Sequence, residues 1–160
     1  MLIEELIKPE SVAADIEARS KKHCLELLAR LLSAPEPPLA DEDVFARLVE
    51  RERLGCTSLA KGVAFPHCRM SGLTTARGAL LRLARPVEFD AADGGEVDLV
   101  FGLIVPEELE DEHYRVVDRI TGLLADDRLL GRLRSASGSR GLYSALLATD
   151  RPPRAGSIHG

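Results

Sequence analysis

The sequence predicts a single α/β domain in which helices flank a small β-sheet. The chain has 160 residues, enough for one compact domain and short for two. Segments with apolar residues at helical spacing lie on both sides of two strongly apolar strand candidates, and neither a repeat nor a linker divides them. With 45% hydrophobic and 29% charged residues, the composition is that of a globular protein and excludes a disordered or fibrous chain.

Two helices are predicted in the first third of the chain. The first covers residues 20–33, where Ser20 provides an N-cap and leucines recur at helical spacing. The proline-rich segment 35–38 ends this helix, because proline lacks an amide hydrogen and restrains the residue before it. Asp41 is then predicted to cap a second helix that runs to about residue 52.

Three strands are predicted in the middle of the chain. Val63–Phe65 is a short strand that ends at Pro66–His67. Ala79–Leu83 and Val97–Val105 are stronger candidates, and the second is apolar on both faces, which predicts a central position in the sheet. The glycines of Asp93–Gly95 predict a turn between these two strands.

Helices are predicted to complete the domain. Apolar spacing indicates one helix from about residue 111 to residue 124, followed by two shorter helices at residues 126–133 and 141–147. We therefore expect one domain over residues 1–150. The remaining segment, residues 151–160, is predicted to be a flexible C-terminal tail.

Charge and apolar content limit the partners that we expect. The formal net charge of −5 disfavours nucleic acid, whose phosphates carry the same sign. Seventeen of the 21 basic residues are arginine, which suits bidentate phosphate contacts, although an arginine-favouring genome would give the same count. The longest apolar run, Leu99–Val105, is far shorter than the roughly 18–20 residues of a membrane helix, so no membrane insertion is expected.

The cysteines indicate a reducing compartment. Cys24, Cys56 and Cys68 are odd in number and lack the paired spacing of a zinc site. The sequence also opens with acidic residues rather than with the basic segment of a secretory signal. We therefore expect three free thiols in a cytoplasmic protein.

His67 has the most informative context of the four histidines. It follows a proline at the end of an apolar strand, and ligand crevices in α/β sheets form at such ends. The stretch Arg51–His67 combines an Arg-Glu pair, a Gly-Cys-Thr triplet that ends at Thr57, and a final Gly-Val-Ala-Phe-Pro-His. This stretch resembles the signature of the fructose- and mannitol-type EIIA domains of the bacterial phosphotransferase system.

The resemblance extends in collinear order over nearly the whole chain. Four further segments are similar to the nitrogen-regulatory EIIA proteins of proteobacteria: Lys21-Lys22, Pro86–Asp90, Val97–Val100, and Val105-Pro106 followed by Glu112-His113. The family implies a central mixed β-sheet with helices on both faces, the EIIA fold of the mannitol and fructose type.

The resemblance also implies a phosphoryl carrier of that system. In the family, the histidine at the position of His67 accepts a phosphoryl group from a phosphohistidine on an HPr-type carrier. His113 matches the second active-site histidine, which donates a hydrogen bond to His67 or to the phosphoryl oxygens. Arg51 matches the active-site arginine that neutralises oxygen charge in the transition state, and Thr57 supplies a hydroxyl group or orients the ring. The family implies no metal and no cofactor.

Simpler interpretations of the same residues stay open. Taken alone, Arg51 is a solvated arginine at a helix end, and Thr57 is an ordinary loop residue. His113 follows three acids at a helix start and is in this interpretation only their ionic partner. A metal or thiol site built from His67, Cys68 and His113 is disfavoured, because adjacent residues seldom point at one ion.

The resemblance implies two kinds of protein partner. An HPr-type phosphocarrier is the donor, and regulatory target proteins, such as a potassium transporter or a sensor kinase, respond to the phosphorylation state. The expected output is mainly nitrogen, potassium or metabolic regulation. Two alternatives are the EIIA component of a sugar-specific permease, whose partner is an EIIB domain, and a regulatory binding module that accepts no phosphoryl group.

Cys68 is the main departure from the family pattern, which usually has glycine after the histidine. If this position needs a positive φ, the added Cβ costs roughly 1–2 kcal/mol and disfavours phosphorylation. A positively charged pocket would lower the pKa of Cys68 and make phosphorylation redox-sensitive, whereas burial would leave an inert thiol. Ser58 and Ala60 replace two further glycines in the preceding loop.

Overall fold

A computed structural model of the chain describes residues 2–91, 93–108 and 110–150. The predicted tail, residues 151–160, lies outside this range. The strands are β1 (Val12–Ile16), β2 (Val63–Ala64), β3 (His67–Met70), β4 (Arg77–Glu88) and β5 (Glu96–Pro106). The helices are α1 (Ile3–Leu6), α2 (Lys21–Ser33), α3 (Asp41–Leu54), α4 (Glu110–Leu124), α5 (Asp127–Ser135) and α6 (Gly138–Leu147), with 3₁₀ turns at Pro9–Ser11 and Ala148–Asp150. Among the described residues, no helix combines the length and apolar character needed to cross a membrane.

The five strands form one mixed sheet. Strand β4 pairs in parallel with β1 and antiparallel with β5, so β4 and β5 are the central strands. The other edge of β5 pairs in parallel with both β2 and β3, with Val63 opposite Leu99 and His67 opposite Leu103. The predicted mixed sheet and the central position of the second long strand are confirmed.

Helices cover both faces of this sheet, as predicted. Strand β5 alternates between the two cores: Leu99 and Leu103 pack with residues of α1, α4, α5 and α6, whereas Val100 and Ile104 pack with residues of α2 and α3. This alternation follows from the period of two along a strand. The site described below therefore lies on a strand pair that is packed from both sides.

The start of α2 agrees with the prediction, but the start of α3 does not. The Ser20 hydroxyl accepts a hydrogen bond from the amide of His23 at 3.1 Å, which confirms the predicted N-cap. Ala40, not Asp41, is the N-cap residue of α3, and it makes no side-chain cap. Asp41 is instead one of three acids in the first turn, where their negative charge interacts favourably with the positive end of the helix dipole.

His67 begins a strand rather than ending one, which corrects the predicted position. Strand β2 stops at Ala64, and β3 starts at His67. The reason is Pro66, which has no amide hydrogen to donate to the neighbouring strand. The backbone continues alongside β5 after this break, so His67 is held by β-sheet pairing on its C-terminal side.

The two ends of the described chain are joined by one side chain. Asp150 accepts hydrogen bonds from the amides of Ile3 at 2.8 Å and Glu4 at 3.0 Å, and it pairs with Arg119 at 3.2 Å. The carboxylate thus satisfies free amides at the N-terminus of α1, where backbone donors have no partner within the helix.

Gly102 sets the distance between α2 and the centre of the sheet. A Cβ at this position would lie 2.6 Å from Leu28 Cδ2, closer than two carbon atoms approach. We expect Gly102→Ala to lower the free energy of unfolding by about 1–3 kcal/mol, because the helix must move off β5. Urea denaturation measures this loss.

Gly122→Ala is the matched control, since a Cβ there meets no atom within 4 Å. This change in α4 should raise stability by up to about 1 kcal/mol through helix propensity. A Gly102→Ala protein as stable as the parent would contradict the packing argument.

Candidate functional site

A pocket of about 300 Å³ opens where the C-terminal half of α3, strand β3 and the first turn of α4 meet. Three of the four predicted site residues, Arg51, His67 and His113, line it, although they are far apart in the sequence. The complete lining is Arg47, Glu50, Arg51, Leu54, His67, Cys68, Arg69 and His113. The pocket therefore combines two imidazoles with three guanidinium groups and one carboxylate, that of Glu50, which lies 3.6 Å from Arg47 Nη1.

The His67 ring is oriented by its own backbone. Its Nδ1 lies 2.7 Å from the carbonyl oxygen of Phe65, and the two rings stack with centroids 4.5 Å apart at a tilt of 32°. A carbonyl oxygen only accepts hydrogen bonds, so Nδ1 must carry the proton. The lone pair of the neutral ring is then on Nε2.

The environment of His67 favours this neutral ring. Burial lowers the pKa of His67 below its ordinary value of 6.5, and the positive charge of Arg51 lowers it further. The hydrogen bond to Phe65 and the charge of Glu52 act in the opposite direction but do not prevail. At neutral pH the imidazole is therefore unprotonated on Nε2 and available as a nucleophile.

Arg51 presents its charge to the pocket from the last turn of α3. Its Nη1 donates to the carbonyl oxygen of Gly55 at 3.0 Å, a neutral acceptor at the helix end. This bond holds the side chain without neutralising it, so the guanidinium acts on His67 at full charge. The position is consistent with the predicted role in stabilising oxygen charge.

Two further arginines belong to the pocket and were not predicted. Arg47 Nε donates to the carbonyl oxygen of Arg69 at 3.1 Å, and Arg69 Nη1 donates to that of Glu107 at 3.1 Å. The sequence carried a signal for both. Arg47 precedes Arg51 by one helical turn, and Arg69 follows His67 by two residues on the same face of a strand.

His113 separates the pocket from a smaller cavity of about 80 Å³ that Thr74 and Thr75 also line. Its Nδ1 is buried and has no hydrogen-bond partner among the described residues. Burial lowers the pKa of His113, and the nearby charges of Arg69 and His67 lower it further. The pKa is thus lowered by burial first and by two basic residues second, whereas pairing with the preceding acids would raise it.

Thr57 lies behind the pocket rather than on its wall. It is buried, its hydroxyl group donates to Glu52 Oε1, and its amide donates to Glu52 Oε2 at 3.3 Å. Because the His67 ring bonds to Phe65, the hydroxyl of Thr57 does not orient it directly. Any contribution of Thr57 to the site passes through the backbone.

At Cys68 the structure shows no backbone strain and favours the inert thiol over the redox-sensitive one. The residue lies inside β3 and does not have a positive φ, so its Cβ causes no backbone strain there. Burial raises the pKa of its thiol to about 12, and this outweighs the opposite effect of Arg47 and Arg51. At neutral pH the thiol is therefore protonated, and the thiolate is the form that oxidants attack. In the preceding loop the positive φ values belong to Lys61 and Gly62, not to Ser58 and Ala60.

The described part of the chain contains no group of three or more His, Cys, Asp or Glu side chains that could hold a metal ion. All three cysteines are free thiols, as the sequence predicts.

Comparison with known proteins gives one consistent family. The model for "Phosphoenolpyruvate-dependent sugar phosphotransferase system, EIIA 2" matches residues 5–148. The nitrogen regulatory protein of Pseudomonas aeruginosa is 38% identical over 145 residues, which cover 91% of this chain and 94% of that protein. The crystal structure of the nitrogen regulatory protein IIA-Ntr from Neisseria meningitidis superposes with a TM-score of 0.81 at 37% identity, covering 90% of this chain and 98% of that one.

A more distant structure shares the fold alone. It is the complex of enzyme IIAMTL with phosphorylated enzyme IIBMTL from Escherichia coli, with a TM-score of 0.69 at 20% identity over 89% of this chain and 99% of that one.

The three thiols should differ sharply in reactivity. Cys56 is exposed, whereas burial raises the pKa values of Cys24 and Cys68 to about 12. A pKa of 12 leaves about one thiolate in ten thousand at pH 8, and the thiolate is the reactive form. We expect iodoacetamide to modify Cys56 in the folded protein and the other two only in urea, as measured by mass spectrometry. Modification of Cys68 at the rate of Cys56 would refute the burial argument.

Both pocket histidines should titrate below pH 6.5, as followed by NMR of their ring protons. The lowered pKa values mean that the unfolded chain binds more protons than the folded one near pH 6. The free energy of unfolding should therefore rise with pH up to about 6.5 and fall as pH drops below that value. Urea titrations at pH 5 and 7 test the sign, and His67→Gln should reduce the dependence. An unchanged dependence in that variant would count against the assignment to His67.

Proposed function

The chain belongs to the EIIA 2 family of the phosphoenolpyruvate-dependent sugar phosphotransferase system, and on that premise we propose that it carries a phosphoryl group on His67. One observation carries the proposal. The His67 ring is neutral, its Nδ1 is bound to the Phe65 carbonyl, and its free Nε2 belongs to a pocket with three arginines. This is the arrangement that nucleophilic acceptance of an anionic group requires.

In the proposed step, the Nε2 lone pair of His67 attacks the phosphorus of a phosphohistidine on the donor protein. A new N–P bond forms as the donor N–P bond breaks, and the donor imidazole leaves with the electron pair. The proton on His67 Nδ1 stays in place, because Nδ1–H donates its hydrogen bond to the Phe65 carbonyl throughout the step. The reverse of this step passes the group onward to a recipient.

The charge on the transferring group is the main obstacle to this step. In the transition state this charge is spread over the oxygens around the phosphorus. Fixed positive groups therefore lower the barrier more than any acid or base does. We propose that Arg51 supplies this charge in contact with the group, with Arg69 adding to the field. The charge of Arg47 is partly offset by Glu50 at 3.6 Å and Glu107 at 3.4 Å. His113 is proposed to donate a hydrogen bond to the phosphoryl oxygens from the other side of the pocket.

The partners follow from the family and its named members. We propose an HPr-type phosphocarrier as the donor and a regulatory output in the cytoplasm, since the relatives that cover nearly the whole chain are called nitrogen regulatory proteins. Potassium transport proteins and sensor kinases are the proposed targets. An EIIB domain is the alternative recipient, because a IIA protein of the same fold binds phosphorylated IIB.

The geometry of Cys68 favours phosphoryl transfer over the binding-module alternative. That alternative depended on strain at Cys68, and that residue has ordinary strand geometry.

Phosphoryl transfer from phosphoenolpyruvate through Enzyme I and an HPr-type carrier tests the proposal. We expect one acid-labile phosphoryl group per chain, as a phosphoramidate gives, and none in His67→Ala. Arg51→Met should slow the transfer by about 10²-fold, the typical loss of one charge-stabilising donor.

Arg53→Met is the matched control and should transfer at the parent rate, because Arg53 is an exposed arginine in the same last turn of α3 and does not line the pocket. If the folded parent protein takes no label from the carrier of its own organism, the phosphocarrier proposal fails and a binding module remains.

A further inference from the structure

The residue after Arg51 is a buried carboxylate that the proposed reaction does not use. Only 6% of the Glu52 side chain is exposed, and it does not line the pocket. Burial of an ionised carboxylate is costly unless every oxygen has a partner. Such a group at the edge of a functional pocket needs an explanation.

Both oxygens of Glu52 are occupied, by Thr57 of the loop before β2 and by Lys21 of α2. Oε1 accepts from the Thr57 hydroxyl, and Oε2 accepts from the Thr57 amide at 3.3 Å and from Lys21 Nζ at 3.1 Å. Lys21 comes from the first turn of α2, and its Nζ also lies 5.2 Å from the centre of the Phe89 ring. The ion pair therefore joins α2 to α3, and the same carboxylate holds Thr57 through its amide and its hydroxyl group.

Two hydrogen bonds connect Thr57 to the ring of His67. The carbonyl oxygen of Thr57 accepts from the amide of Phe65 at 2.9 Å, and the carbonyl oxygen of Phe65 in turn accepts from His67 Nδ1 at 2.7 Å. The Phe65 side chain is 2% exposed and packs edge-on against Phe101 with centroids 6.0 Å apart. The ring of Phe65 is fixed in the core, so the hydrogen bond from the Phe65 amide to Thr57 sets the direction of the Phe65 carbonyl.

We propose that Glu52, held by Lys21, is a positioning residue that keeps the proton of His67 on Nδ1 by fixing the Thr57 backbone and, through it, the Phe65 carbonyl. This role rests on the proposed phosphoryl transfer, because only a nucleophile at Nε2 needs the other nitrogen protonated. It assigns Thr57 and Lys21 to the same structural relay, away from the reacting atoms.

Glu52→Gln is the sharpest variant, because it keeps the shape and one oxygen but removes the charge. The new amide group donates hydrogen bonds, so it meets the Thr57 donors and Lys21 Nζ with repulsion. Lys21→Met removes the other half of the pair and leaves the carboxylate without its counter-ion. The chain offers a control for each variant. Glu42→Gln changes an exposed acid in the first turn of the same helix, and Lys22→Met changes the exposed neighbour of Lys21.

The first measurement is the ring tautomer of His67 by ¹H–¹⁵N correlation NMR of histidine-labelled, unphosphorylated protein at pH 7.5. The parent and both controls should show one species with Nδ1 protonated. Glu52→Gln and Lys21→Met should show a mixture with the Nε2-protonated form. This measurement does not depend on phosphoryl transfer, so it stands even if the parent protein takes no label.

The second measurement is single-turnover transfer from the phosphorylated carrier. The maximal rate constant should fall about 10-fold in each variant, because a misdirected lone pair slows the chemical step. The carrier concentration at half-maximal rate should stay near the parent value, since Glu52 lies outside the pocket lining.

A folded Glu52→Gln protein with the parent tautomer, whatever its transfer rate, would overturn the proposal, as would a mixed tautomer with an unchanged rate constant. If that variant fails to fold, Lys21→Met decides by the same two readouts. Absence of label in the parent protein counts against the phosphocarrier proposal alone.

Discussion

The geometry of the site depends on the hydrogen bond from His67 Nδ1 to the Phe65 carbonyl, which spans the break in the sheet at Pro66, a residue without an amide hydrogen. Strands β2 and β3 lie on either side of it, yet both pair with β5 in one register: Val63 faces Leu99, and His67 faces Leu103 four residues later on each strand. No residue is inserted, and the Pro66 carbonyl still accepts from the Leu103 amide at 3.0 Å. The carbonyls of Gly62 and Pro66 face β5, so the alternation along the strand turns the Phe65 carbonyl to the outer edge of the sheet, where His67 Nδ1 donates to it. The orientation and the tautomer of the imidazole follow from this bond.

Local sequence patterns predicted the elements in which apolar spacing alone shows the buried face. They failed where burial depends on residues distant in the sequence. Periodicity placed α2 and β5, but β1 has no clear alternation, and its Asp15 has a positive φ. The family resemblance predicted that Arg51, His67 and His113 share one site, and all three line the pocket. The direction of the pKa shift of Cys68 stayed open, because the sequence does not show that β3 buries this thiol between the sheet and α3. For the same reason, the buried ion pair of Glu52 is visible only in the folded chain.

The arginine content has a structural explanation beyond the pocket. Arg77 donates to the carbonyl oxygens of Leu32, Pro35 and Pro37 at the end of α2. Arg82 donates to those of Leu133 and Ala136 at the end of α5. Both arginines project from β4, one toward each face, and both meet carbonyls that have no partner within their helix. The central sheet thus caps a helix in each outer layer, which couples the layers that carry the site.

The closure of the chain by Asp150 has a consequence for the architecture of larger proteins. With the amides of Ile3 and Glu4 bound to the carboxylate of Asp150, the first and last described elements meet on one side of the fold. A domain whose ends meet in this way can be inserted into a surface loop of a host protein, and its ends can be linked and reopened elsewhere by circular permutation. The Asp93–Gly95 turn, at the far end of the β4–β5 hairpin, is an exposed place for such a reopening. The domain is therefore suited to insertion into a host protein and to circular permutation, because its first and last described elements lie together.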